Sequence, residues 1–170
     1  MLEPILLAAA LSTLSTAAPA QTTPAAPTSG PAVSAADEAT KFVTTIMDKF
    51  NGGDTKAWLS AQADNALIVD EFRPHVWAGP GSPQRWLDAY AKDSQANGVT
   101  KPRVDYGKPL QATSDGASAY IVLPTTYRFV QKGTKMAEPS SMTFVVKKNG
   151  NEWKITSWTY SAAGVPVPEK

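Results

Sequence analysis

Asp70 and His75 are the two side chains whose types and spacing first suggest chemistry. A carboxylate closing a β-prone segment, at the rim of an apolar pocket, is partly desolvated, and its basicity moves toward neutral pH. An imidazole five residues on, in the loop that follows, is a candidate general acid or base beside it. Each also has a plainer reading: Asp70 as a strand-end acid bonded to loop backbone or paired with Arg73, and His75 as a loop-surface residue. Glu71 belongs on the opposite side from Asp70 if the strand stays regular.

Trp77, Trp86, Tyr90 and Tyr127 are the candidate walls of a binding pocket, against the alternative that they pack in the core as large aromatics usually do. Arg73 is the candidate clamp for an anionic ligand group, with Arg85, Arg103 and Arg128 as weaker ones. The chain has one His and no Cys. Those two counts exclude disulfides, thiolate metal sites, a Cys nucleophile and any site with several imidazoles. No carboxylate spacing accompanies His75 as a metal-ligand set, so neither a metal nor a cofactor is implied. With 16 Lys+Arg against 15 Asp+Glu, the net charge is +1. Without a basic patch, nucleic acid is not an expected partner. P-loop, dinucleotide Gly motif and nucleophile elbow are all missing.

Positioning these residues falls to a helical first half and a β-rich second half. Ser34 is a candidate N-cap, with Asp37 and Glu38 in the first turn. Phe42, Val43, Ile46, Met47 and Phe50 then form one apolar helical stripe, which Asn51-Gly52-Gly53 stops. Asp54 caps a short second helix carrying Ala57, Trp58 and Leu59. Residues 65–71 are predicted as a strand, and Arg73 to Gly81 as a turn-rich loop. Ser82-Pro83 starts a third helix with Trp86, Leu87 and Tyr90 on one face, and Gly98 lies beyond its end.

Residues 102–112, 117–130, 140–148 and 152–161 are predicted as strands. Ser114-Asp115-Gly116 and Asn149-Gly150 make hairpin turns, and 132–139 a looser connection. Ala119, Ile121, Leu123, Tyr127 and Phe129 share a face. Trp158 and Tyr160 alternate against Trp153 and Ile155, so in a regular strand one pair meets the helices and the other is free for a second subunit. The grouping is α+β: a cone-shaped curved antiparallel sheet wrapped around about three N-terminal helices, with a pocket at the open end.

Ahead of this domain, Ile5 to Leu14 is an apolar run too short to span a bilayer comfortably, and Ala18-Pro19-Ala20 is a small-x-small cleavage pattern. Residues 1–20 are therefore expected to be a signal peptide of a protein that is periplasmic or secreted, not inserted in the membrane after cleavage. Residues 21–35 are a flexible Pro/Ala/Thr linker, 36–163 the domain and 164–170 a C-terminal tail.

Several local sequences, in order, resemble the nuclear transport factor 2-like superfamily, which includes ketosteroid isomerase and SnoaL-like cyclases. They are Phe50-Asn51-Gly52-Gly53-Asp54, Asp64-Asn65-Ala66, Asp70, Trp77-Ala78-Gly79, and Trp153-Lys154-Ile155 with Trp158. The resemblance spans 36–163, and the segment Asp70 to Gly79 is most similar to SnoaL-like members. It implies the cone fold. It also implies that Asp70 stands where the isomerase has its general base, and an acid–histidine pair such as Asp70 with His75 is used by some dehydratase and cyclase relatives. The isomerase's two oxyanion donors fall on Ile46 and near Met142, neither of which donates a hydrogen bond, so steroid isomerisation by that mechanism is not implied.

Three functions fit these residues. The first is an exported domain that binds a small apolar or aromatic ligand. The second is a proton-transfer enzyme of isomerase, cyclase or dehydratase type using Asp70 with or without His75. The third is an interaction module whose open sheet face forms a homodimer or docks on a partner.

Overall fold

The computed structural model describes residues 33–169. The expected signal peptide, and the linker up to residue 32, lie outside the described residues.

The apolar stripe becomes α1, Ala35–Asn51, burying Ala39, Val43, Ile46 and Met47. Ser34 caps it, accepting from the Asp37 N–H at 3.1 Å. Gly53 turns the chain with φ 84°, in the left-handed region that glycine enters without strain. Asp54 then accepts from the Ala57 N–H at 2.9 Å and starts α2, Thr55–Ala61. The chain enters β1, Gln62–Val69, without a loop, and β2, Val76–Trp77, folds back against it.

α3, Ser82–Asn97, starts differently from expectation. Gly81, at φ 71°, is the N-cap, and Ser82 is already helical. The Ser82 hydroxyl is fully buried and donates to the Ala66 carbonyl at 2.5 Å, so it tethers α3 to β1 rather than capping.

The rest is strand. β3, Val99–Tyr106, and β4, Gln111–Ser114, both pair with β5, Ser118–Gln131. They replace the single strand expected over 102–112, which is interrupted around Gly107 and Pro109. β5 pairs along its whole length with β6, Thr134–Asn149. β6 starts far earlier than expected because Lys132 and Gly133, both at positive φ, make a two-residue hairpin turn instead of a loose connection. β7 is Glu152–Ala162, and β8, Val167–Pro168, within the expected tail, pairs with β6.

The sheet order is β2-β1-β7-β6-β5-β3. Every pairing is antiparallel except β1 with β7, which is parallel, so the antiparallel sheet of the sequence reading is closed by one mixed edge. The architecture is α+β, with three helices against a large curved sheet.

The inner face of this sheet is the core. Ile121 and Leu123 of β5, Phe144 and Val146 of β6 and Ile155 of β7 are fully buried there, facing Val43 of α1. The ladder between β6 and β7 shifts register at Val145/Val146, leaving Thr156 as a bulge residue. That extra residue puts Trp153, Ile155, Trp158 and Tyr160 all among the buried residues of β7. No aromatic pair is left for the outer face, which removes the sequence argument for a second subunit there. Among the described residues, no helix is long and apolar enough to cross a membrane.

Candidate functional site

Between the helices and the inner sheet face lies an open cavity of about 210 Å³. Nine of the residues that line it are aromatic. Trp86 stacks on Tyr90, with ring centroids 5.3 Å apart and an interplanar angle of 14°. Trp158 meets Trp86 edge-on at 4.8 Å, and Phe50 of α1 packs on Trp58 of α2 at 4.9 Å. Across the cavity the Tyr90 and Tyr127 hydroxyls lie 3.1 Å apart. Burial raises the pKa of both phenols, as it does that of Tyr160, so all three remain neutral hydroxyls at physiological pH.

Asp70 follows the last residue of β1 and faces this wall. Its carboxylate accepts from the Trp86 indole N–H at 2.9 Å and from the Glu71 backbone N–H at 2.8 Å. Burial pushes its pKa from 3.8 up to about 6, because desolvation outweighs the two hydrogen bonds that favour the ion. Three more acids line the cavity: Glu71, Asp93 and Glu138. Glu138, on the inner face of β6, is 3% exposed and accepts from the Tyr160 hydroxyl at 2.7 Å. Glu71 is pushed up to about 7, first by desolvation and then by the charge and hydrogen bonding of Glu138.

Of the residues singled out from sequence, Asp70, Trp86, Tyr90 and Tyr127 line the cavity. Trp77 is buried behind the wall, its ring 5.0 Å from that of Phe72. Arg73 and His75 are exposed and do not line it. His75 sits at φ 75°, with its Nδ1 3.3 Å from the Asp70 backbone carbonyl, so no side-chain contact joins imidazole to carboxylate. Arg85 bonds the carbonyls of Pro80 and Ala78. Arg103 and Arg128 pair with Asp105, and Arg128 also with Glu169. None of these guanidiniums reaches the cavity. Among the described residues, no group of three or more His, Asp or Glu side chains is arranged to hold a metal ion.

Glu71 and Glu138 are the site residues that sequence reasoning did not place. Glu71 was assigned to the far side by strand alternation, but β1 ends at Val69 and alternation ends with it. Glu138 was assigned to a connection. The available signal was the period of β6: counting back by twos from Val146 through Phe144, Met142 and Ser140 arrives at Glu138.

An α+β domain whose helices and curved sheet enclose one aromatic cavity open at the mouth is a cone. Solved structures share this fold, among them an NTF2-like protein with a cystatin-like fold from Novosphingobium aromaticivorans, similar at a TM-score of 0.59 and 12% identity over 75% of this chain and 80% of that one. Hexachlorocyclohexane dehydrochlorinase LinA-type3 from Novosphingobium barchaimii is similar at a TM-score of 0.64 and 9% identity, over 77% of this chain and 87% of that one. A ketosteroid isomerase-like protein from Erwinia carotovora atroseptica matches at a TM-score of 0.56 and 15% identity, over 74% of this chain and 94% of that one. The CaMKII hub of S. rosetta matches at 0.57 and 18% identity, over 79% and 98%. Neither a protein-family model nor a curated protein sequence matches the chain.

Proposed function

We propose that the chain is an exported binding domain that holds a small, largely apolar or aromatic molecule in its cavity. One observation carries this reading: an open cavity of about 210 Å³ walled by Phe50, Trp58, Trp86, Tyr90 and Trp158. Apolar cavities of roughly 150 Å³ already accept a benzene-sized guest, so a one-ring ligand with substituents fits. The apolar run at 5–14 and the Ala18-Pro19-Ala20 pattern support export. Native mass spectrometry of the purified protein is the test. A copurifying molecule of about 10 to 15 heavy atoms is expected, and an intact mass starting at Gln21 supports the export half. A protein that carries nothing and whose Trp fluorescence ignores a panel of one-ring compounds refutes the binding reading.

A second reading is favoured by Asp70 in particular. A carboxylate with a pKa of about 6, at the lining of an apolar cavity, is suited to take a proton from a bound carbon acid. Among the similar structures are a dehydrochlorinase and an isomerase-like protein. In this reading Asp70 acts without His75. Loss of deuterium from a labelled α-position of a bound ketone, abolished in Asp70→Asn, is the expected result. Exchange that survives the substitution excludes Asp70 as the base.

A further inference from the structure

Resting on the reading that the cavity binds a small molecule, we propose that its ligand is a cation: an ammonium or quaternary ammonium group on a small apolar or aromatic body.

The sign of the cavity is the first ground. Among the described residues 22 line it; nine are aromatic and four are acids, and none is Lys, Arg or His. The whole chain nevertheless has 16 Lys+Arg against 15 Asp+Glu. The described cations are elsewhere. Arg103 and Arg128 are tied to surface acids, and Arg73 is exposed outside the cavity.

The second ground is Glu138. Buried carboxylates are found paired with a cation because an unpaired buried charge is strongly disfavoured. Glu138 is 3% exposed, on a strand face otherwise continued by Ser140, Met142, Phe144 and Val146. What it meets is the neutral Tyr160 hydroxyl and a second carboxyl, Glu71. Two carboxyls side by side gain a hydrogen bond only while one of them keeps its proton. Both gain from a positive charge between them and the aromatic wall.

The wall is the third and independent ground. Trp86, Tyr90 and Trp158 all line the same cavity, with Trp86 stacked on Tyr90 and at right angles to Trp158. Ring faces attract a cation through their quadrupole, most strongly when it is desolvated, and aromatic boxes bind quaternary ammonium groups for that reason. An anion meets four carboxyls and no donor cation here. A neutral ligand gains the apolar contact and leaves the Glu71–Glu138 pair balanced by a proton alone.

Three probes of nearly equal shape and different charge test this on the full chain: benzyltrimethylammonium, neopentylbenzene and benzylsulfonate. Binding is read from Trp fluorescence and indole N–H shifts. The cation is expected to bind about tenfold or more tighter than its neutral isostere, and the sulfonate not to bind. Glu138→Gln and Asp93→Asn are each expected to weaken the cation about three- to tenfold while leaving neopentylbenzene within about twofold. If Glu138→Gln does not fold, Asp93→Asn, at a partly exposed position on α3, carries the comparison. Neopentylbenzene binding as tightly as the cation overturns the charge inference and leaves the cavity reading standing. Cation affinity unchanged in the variants overturns it too. Failure of all three probes overturns both.

Discussion

Replacing Asp70 by Asn tests the electrostatics of the cavity. The carboxyl is held at about 6 against an ordinary 3.8. A shift of that size corresponds to on the order of 3 kcal/mol of preference for the protonated form in the folded state. The sign follows from proton linkage. Below about pH 3 the group is protonated in folded and unfolded chains alike, and no penalty exists. As pH rises from 3.8 to about 6, the unfolded chain releases the proton while the folded one keeps it, and stability falls. Above that range the full penalty is present. Asn carries no charge and escapes it at every pH.

The substitution has a cost of its own. Asp70 accepts two hydrogen bonds, from Trp86 and from the Glu71 N–H. Asn has one acceptor oxygen, so one bond is lost, at about 1 kcal/mol independent of pH. The variant is therefore expected to be about 1 kcal/mol less stable than the parent below about pH 3 and on the order of 2 kcal/mol more stable at pH 7.5, crossing near pH 4.5. Glu71 adds to the same slope, because removing the Asp70 charge lowers a pKa that this charge helps to raise. Urea unfolding followed by Trp fluorescence, from pH 3 to 8, measures it. A stability difference that stays flat with pH, or that favours the parent more at high pH, refutes the placement of this carboxylate in a desolvated site.

Trp86→Phe removes the indole donor that favours ionised Asp70, so the Asp70 pKa should climb above its present value, seen by carboxyl ¹³C titration; a fall contradicts the assigned hydrogen bond. Asn51→Ala should cost about 2 to 3 kcal/mol, because the Asn51 amide holds both the N–H and the C=O of Val104 at 2.9 Å and both would be left unpaired. A loss below about 0.5 kcal/mol in urea melts means that β3 is held by β5 alone.

The elements legible in the sequence are those fixed by neighbours close along the chain. The α1 stripe from Val43 to Met47, the caps Ser34 and Asp54, and the turns at Asp115-Gly116 and Asn149-Gly150 all depend on residues a few positions apart. What was not legible depends on partners far away. β1 begins at Gln62, in a polar stretch, because it pairs in parallel with β7 some ninety residues later. Thr156 bulges because of its register with β6, and nothing in Ile155-Thr156-Ser157 announces it. The Lys132-Gly133 turn was missed because Lys is a poor residue at positive φ, and the usual Asn-Gly or Asp-Gly signal is not there.

The same distinction explains the site. Asp70 was visible because a strand end is a local feature. His75 looked like its partner for the same reason, yet five residues along a loop fix no direction for a side chain. The turn made by Asp70 N–H to the His75 carbonyl, and by His75 N–H to the Phe72 carbonyl, leaves the imidazole outside. Glu138 is sixty-eight positions from Asp70 in the chain, and only the pairing of β6 with β5 and β7 brings it to the same cavity. The acid partner of Asp70's neighbourhood thus comes from the sheet rather than from the loop. That substitution of a second carboxyl for an imidazole changes the chemistry the cavity can do: it moves the site away from a carboxylate–histidine relay and toward one that accumulates negative charge beside aromatic faces.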